Sequence, residues 1–333
     1  EFDVKKVEIY LKNRDGFCIL IADNQLITFK TTSMLDNAKI TEIYFIIDEF
    51  SKEFDKTISA HSLNGKEALK KRNRKFIMCD SEVMTSLVLF HALGFKNLKH
   101  FYLAYITKHL NNEFPNLVSY NRFVELQKKV VVPMALFLKT CCLGQCTGIS
   151  IIDSTPLRAC HIRREKQHKT FKDLATKGHT STGWFFGFKL HLIINDKGEI
   201  LDFMFTQGNV DDREPLKSNN FHKKVFGKLF GDKGYIGQDL FERLFIDGVH
   251  LVTKIKKNMK NSMMLLQDKI MLRKRSLIET VYDQLKNICQ IEHTRHRSFE
   301  NFITNLLSGL IAYSFFPKKP SINVDFENNR LVA

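Results

Sequence analysis

The sequence predicts an all-α segment followed by an α/β domain, the latter a mixed five-stranded sheet flanked by helices. Three observations predict this. Apolar residues recur at helical spacing from Ile40 to about Leu143. At Gly148 the period shortens, and Ile149 to Asp153 reads as a buried, β-branched strand. From there the elements run strand, hairpin of two strands, helix, strand, helix, strand, long helix. The 333 residues, 44% hydrophobic and 26% charged, supply ample core for two domains.

In the helical part, Met34 is the first methionine and Asp36 a candidate N-cap directly after it, so residues 1–33 are expected to be a tag or translated upstream sequence. Ile43, Ile46, Ile47, Phe50 and Phe54 form one apolar stripe. Ser81 is the expected cap of a second helix through Val83, Leu87 and Phe90, ending at Gly94; Asn97 opens a third through Phe101 and Ile106. Two helices joined by Leu93 to Asn97 have the outline of a helix-turn-helix, and equally of an ordinary helical hairpin. Ser119 starts a further helix, interrupted at Pro133.

In the α/β part, a basic, polar loop is expected from Arg158 to Lys177. Phe185 to Ile194 and Ile200 to Thr206 pair as a hairpin across the turn Asn195-Asp196-Lys197-Gly198. Gly208 to Pro215 is loop leading into a helix, and a fourth strand, Val225 to Phe230, ends at Gly231-Asp232-Lys233-Gly234-Tyr235. Gln238 to Asp247 is helical and Val249 to Ile255 a fifth strand. The long helix from Arg275 to Lys286 and an amphipathic helix from Phe299 to Phe316 follow, then a polar tail over residues 318–333.

A formal net charge of +15 and a pI near 9.4 point to a polyanionic partner, nucleic acid above all. The basic residues cluster at Lys66 to Lys75, Arg158 to Lys177, Lys254 to Arg275 and Lys286 to Arg297. Seven scattered cysteines suit reduced thiols in a cytoplasm; Cys141, Cys142, Cys146, Cys160 and His161 lack the paired knuckles of a zinc site. Apolar runs such as Leu306 to Phe316 are too short to span a bilayer, and no signal peptide is evident.

The stretch Arg275 to Lys286 places Arg275, Glu279, Tyr282, Asp283 and Lys286 on one helical stripe. Alone, a carboxylate flanked by cations is a common surface feature. With Ile152-Asp153-Ser154-Thr155 and Gly231-Asp232-Lys233-Gly234-Tyr235 beside it, the chain resembles a DDE-type transposase of bacterial insertion sequences, in the retroviral integrase and ribonuclease H-like superfamily. Arg275-x3-Glu279-x6-Lys286 fits the latter part of the Y-x2-R-x3-E-x6-K signature of one large group of these enzymes. The signature's tyrosine would fall at Leu272, where the likeness stops, and the short stretch 256–275 leaves no room for the insertion domain some relatives carry.

The resemblance implies a ribonuclease H-like catalytic domain over residues 147–317 and a helical DNA-binding domain over 34–146. In that fold the strands ending at Asp153 and Asp232 lie side by side and the long helix crosses them. Asp153, Asp232 and Glu279 would be the catalytic carboxylates, holding Mg²⁺ or Mn²⁺ as two ions per site. Arg275, Lys286, Lys233, Arg158, Arg163 and Arg164 would contact DNA. The protein would bind its element's terminal inverted repeats, cleave there and join the 3′-hydroxyls to target DNA, as a homodimer or higher assembly in a bacterial cytoplasm, at the nucleoid. The alternatives are a ribonuclease H-like nuclease or resolvase that cuts without joining, and a non-catalytic DNA-binding protein derived from a transposase.

Other candidates have blander expectations. Asp211 and Asp212 are expected to cap the next helix, and Asp283 to pair with Lys286. His161, His168, His179 and His191 are expected at the surface or on phosphates, and Trp184 to anchor the sheet or stack on a base.

Overall fold

The computed structural model describes residues 9–10, 17–22, 25–30, 35–62, 77–181, 183–217, 221–254, 264–292 and 296–322. Met34, the basic run Lys66 to Lys75, the Ile255 end of the expected fifth strand and residues 323–333 of the polar tail lie outside these. The chain divides into two compact units, Glu1–Ile43 and Tyr44–Ala333. The first contains an antiparallel sheet of β1 (Ile9–Tyr10), β2 (Phe17–Ala22) and β3 (Gln25–Lys30), and the start of helix α1 (Asn37–Ser62). Asp36 caps that helix as expected, its Oδ1 accepting from the Lys39 N–H at 2.8 Å.

In the second unit, α2 (Asp80–Ala92) is buried on nearly every face, as an apolar helix without a polar side must be. Its cap is Cys79, not Ser81. The Cys79 N–H donates to Glu82 Oε2 at 2.8 Å, and Ser81 lies inside the first turn, donating to Asp48 Oδ1 at 2.8 Å. Gly94, at φ +68°, ends the turn after the helix where a side chain would be strained. Helix α3 spans residues 98–109, widened to π-helical turns over Phe101–Ile106, and Asn97 caps it through His100 N–H at 3.1 Å. Ser119 caps α4 (Tyr120–Leu126). Pro133 breaks nothing: it sits in the first turn of α5, residues 131–142, where no intrahelical donor is needed.

The sheet has six strands rather than five. The first, β4 (Ile149–Cys160), runs seven residues past Asp153, so the basic segment begins on a strand. That segment also folds, as a 3₁₀ turn at Ile162–Gln167 and then β5 (Thr176–Thr180). The hairpin is β6 (Gly183–Asn195) and β7 (Ile200–Gln207), closed by Gly198 at φ +71°. β6 is long enough to serve two partners on one edge. Its Gly183–Gly187 half pairs with β5 and its Phe188–Ile194 half with β7. On its other edge it pairs antiparallel with β4. Parallel strands β8 (Gly227–Gly231) and β9 (Val249–Thr253) continue from β4, giving the order β5-β6-β4-β8-β9.

Short helix α6 (Glu214–Lys217) and α7 (Gln238–Ile246) cover one apolar layer built from Ile152, Ile193, Leu229, Leu240, Leu244 and Leu251. Next come α8 (Leu266–Lys274), which the sequence reading missed, and α9, residues 277–288, with its last turns widened. Arg275 and Ser276 are thus the turn between two helices, not the start of one. The last helix, α10 (Phe299–Ser314), is buried all round and packs on α2 and α5. Phe299 and Phe302 at its start join Phe171, Phe188 and Phe205 in an aromatic cluster. Each fully buried side chain such as Leu310 or Ile311 contributes about 1.5–3 kcal/mol.

Candidate active site

Asp153 is the fifth residue of β4 and Asp232 the first beyond β8. The parallel register runs Ile149↔Lys228 to Ile151↔Phe230; continued by two residues it sets Asp153 opposite Asp232. The bare Gly231 allows the close fit at this end, since a Cβ there would meet Tyr235 at 3.2 Å and Ile152 at 3.4 Å. Asp232 is exposed, and its carboxylate accepts the Lys233 N–H at 2.7 Å, capping the turn Lys233–Tyr235.

Asp153 is three-quarters buried, its side chain 24% exposed. Burial pushes its pKa up to about 6; the Ser154 N–H at 2.9 Å and the Arg275 guanidinium pull it down, and the charge of Asp232 adds to the rise. Arg275 Nη1 donates to Asp153 Oδ2 at 3.1 Å, and its Nη2 stands 3.9 Å from Glu279 Oε1. Glu279, 65% exposed, faces solvent from the first turn of α9. Tyr282, one turn on, points inward: its buried hydroxyl donates to the Asp153 carbonyl at 2.6 Å and reaches the Leu190 carbonyl at 3.3 Å. The helix stripe therefore splits. Arg275 reaches Asp153 and lies beside the exposed Glu279, and Tyr282 anchors the backbone that carries Asp153.

Of the remaining predicted DNA contacts, Lys286 is engaged within the protein. Its Nζ donates to the Pro156 carbonyl at 2.8 Å and pairs with Glu292 at 3.3 Å, while burial lowers its proton affinity. Asp283 takes its hydrogen bond from Asn287, at 2.6 Å, rather than from Lys286. Lys233, Arg158, Arg163 and Arg164 are exposed, and none makes an ion pair among the described residues. Leu272 is buried in the core.

Sequence reasoning missed the charged groups packed around the backbone next to Asp153. Asp212 does not cap a helix: its Oδ1 accepts from Ser154 Oγ at 2.8 Å and Lys189 Nζ at 2.9 Å, which fastens the β7–α6 loop to the residue after Asp153. Asp211 does serve the loop, accepting from the Arg213 N–H at 2.9 Å, and the Arg213 guanidinium holds its pKa well below the usual range. The Tyr235 hydroxyl is buried with no partner among the described residues, and burial with Asp153 and Asp212 nearby raises its pKa far above the ordinary value. The only signal in the sequence was that β6 neighbours β4, which brings the end of β7 toward it. His191 is fully buried on β6 and hydrogen-bonded to Thr206 Oγ1 at 2.8 Å, so it makes no surface contact. His161 accepts from the Arg163 N–H at 3.3 Å at the start of the 3₁₀ turn. Trp184 anchors nothing: it is 63% exposed, edge-on to His179.

Among the described residues no three His, Cys, Asp or Glu groups stand close enough to share one metal ion. The donors suit one chemically: two carboxylates on adjacent strands, with the proton affinity of Asp153 raised by burial and further by the charge of Asp232, are the hard oxygen set that Mg²⁺ or Mn²⁺ takes. Between Asp153 and Glu279, the Arg275 guanidinium is the cation present. Among the described residues no helix is long and apolar enough to cross a membrane.

The fold is thus a mixed sheet flanked by helices, with Asp153 within β4 and Asp232 directly after β8 on adjacent parallel strands. Residues 143–299 match the family described as Transposase DDE domain. Among solved structures, the chain is similar to one described as the cryo-EM structure of piggyBac transposase synaptic complex with hairpin DNA. That similarity has a TM-score of 0.44 and 13% identity over 85% of this chain and 73% of that one. No curated protein matches the chain.

Proposed function

We propose that this protein is a divalent-metal-dependent DNA transposase that cleaves at the ends of its element and joins the freed 3′-hydroxyls to target DNA. The observation that carries this reading is the placement of Asp153 opposite Asp232 on neighbouring parallel strands, with Arg275 bridging toward Glu279, inside a region that matches the transposase family. The sheet order supports a ribonuclease H-like assignment for the domain.

Asp153, Asp232 and Glu279 would hold Mg²⁺ or Mn²⁺, which when bound activates the attacking oxygen and stabilises the leaving one. The chain's own residues do the rest. The Tyr282 hydroxyl and the Ser154–Asp212–Lys189 chain fix the backbone and loop on either side of Asp153. Arg275 neutralises Asp153 and orients toward Glu279, so the two carboxylates are not left facing each other unscreened. Exposed Lys233, Arg158, Arg163 and Arg164 would take DNA phosphates beside the strand ends. Assembly as a dimer or larger complex would bring two ends together.

A strand-transfer assay with pre-cleaved DNA ends tests the reading. Wild-type protein with Mg²⁺ is expected to yield joined product. Asp153→Ala, Asp232→Ala and Glu279→Ala are each expected to abolish it while retaining end binding. Cleavage without joining by the wild type would instead make it a nuclease or resolvase.

A further inference from the structure

Away from the carboxylates, a groove of about 830 Å³ opens between residues 96–99, α4 and the start of α10. Its charged rim is Lys96, Lys99 and Arg297, all exposed. No carboxylate lines it, in a chain that has 36 Asp and Glu residues, and none of the three cations makes an ion pair among the described residues. Such a groove holds an anion-attracting field that nothing within it cancels.

Its floor is made of carboxamides. Gln127, Asn301 and Asn305 are 4%, 8% and 7% exposed, so the floor is deep. Gln127 Nε2, a donor, and Asn301 Oδ1, an acceptor, are buried without hydrogen-bond partners among the described residues. The Asn301 Nδ2 donates to the Val124 carbonyl at 3.5 Å, which leaves its oxygen free. Exposed Asn121 and the half-buried Tyr120 ring complete one wall. Cations above unpaired amides is the arrangement that binds a phosphodiester backbone and reads base edges. Carboxamides offer the donor and acceptor that a purine edge needs.

The groove also adjoins a second cavity. His296 lines both it and a second cavity of about 660 Å³ bounded by Leu157–His161 and Arg164, at the far end of the strand that carries Asp153. Target DNA need only be held by its phosphates, whereas an enzyme must tell its own ends from other DNA, and carboxamides supply that distinction.

We infer that this groove is where the protein reads the DNA of its own element ends, the cations of the rim holding phosphates and Gln127, Asn301 and Asn121 contacting base edges. The inference rests on the transposase reading, but it is tested by binding without any divalent ion, so failure of strand joining does not decide it.

The probe is a duplex selected by the full-length wild-type protein from a randomised pool in EDTA, compared with a scrambled duplex. Lys96→Ala with Lys99→Ala should weaken both duplexes about tenfold and flatten the salt dependence by up to about two phosphate contacts. Gln127→Leu and Asn301→Leu should lower the preference for the selected duplex about tenfold and leave scrambled binding unchanged. If either buried variant does not melt cooperatively like the wild type, the exposed Asn121→Ala carries the same expectation. A wild-type protein that enriches no sequence, or variants with unchanged preference and salt slope, would overturn the inference.

Discussion

The guanidinium of Arg275 lies 3.1 Å from Asp153 Oδ2 and 3.9 Å from Glu279 Oε1, so one cation stands between the strand carboxylate and the helix carboxylate. Arg275→Ala would leave Asp153 three-quarters buried and without an ion-pair partner. The expected cost is about 1–3 kcal/mol at pH 8, shrinking at pH 5, where Asp153 with a pKa of about 6 is largely protonated and needs no partner. Melting temperatures of wild type and variant at the two pH values check this. An equal loss at both would show that the arginine acts through packing alone.

Asp153 itself sets a second pH dependence. Its pKa is raised on folding, from 3.8 to about 6, so the stability it contributes is fully present below the unfolded value and is lost as pH rises through about 6. In EDTA, Asp153→Asn should therefore be more stable than wild type at pH 8, by up to about 3 kcal/mol, and not at pH 4. Denaturant titrations at both pH values give the comparison. Divalent-ion affinity should run the other way, strengthening as pH rises past 6, because the ion displaces a proton.

Glu279 and Asp232 are exposed and make few contacts within the protein. Glu279→Gln and Asp232→Asn should change stability by no more than about 0.5 kcal/mol while lowering strand joining at least about 100-fold. Parallel melting and joining assays separate the two effects; a large stability loss would assign these carboxylates to structure.

Lys286 and Glu292 are coupled, each about one-fifth exposed, and both hold the backbone of β4, through the Pro156 carbonyl and the Arg158 N–H. Lys286→Met alone should cost about 1–3 kcal/mol, and the double change Lys286→Met with Glu292→Gln less than the sum of the two. A double-mutant cycle by chemical denaturation measures this. Additive losses would show that the pair is independent.

How far the sequence disclosed this molecule depends on the range of the interaction. Alternation and turn residues located β6 and β7, because a hairpin is specified by neighbours. Asp153 and Asp232 were legible because a β-branched run, Ile149 to Ile152, leads into the first and the turn signal Gly231-Asp232-Lys233-Gly234 marks the second. The extension of β4 to Cys160 and the strand β5 were not, since they are stabilised by pairing with β6 and their own residues are basic and polar. Asp212 was hidden for the same reason: its partners, Ser154 and Lys189, are 58 and 23 residues away in sequence. Tyr282 could be placed on the charged stripe but not turned inward, because only the carbonyls of Asp153 and Leu190 across the interface decide its direction. Trp184 was expected to anchor the sheet or stack on a base, and its place near the start of β6 leaves its ring 63% exposed.

Helix α10 packs on α2 and α5 and has its Tyr313 hydroxyl on the Gly198 carbonyl, at 2.7 Å, across the hairpin turn. On the ribosome, every carboxylate of the candidate site is made before Phe299–Ser314 emerges. Until then α2 and the sheet lack the apolar partner that covers them. A nascent chain therefore carries all the carboxylates of the candidate site before the scaffold that aligns them is complete, which happens only after synthesis has passed this helix.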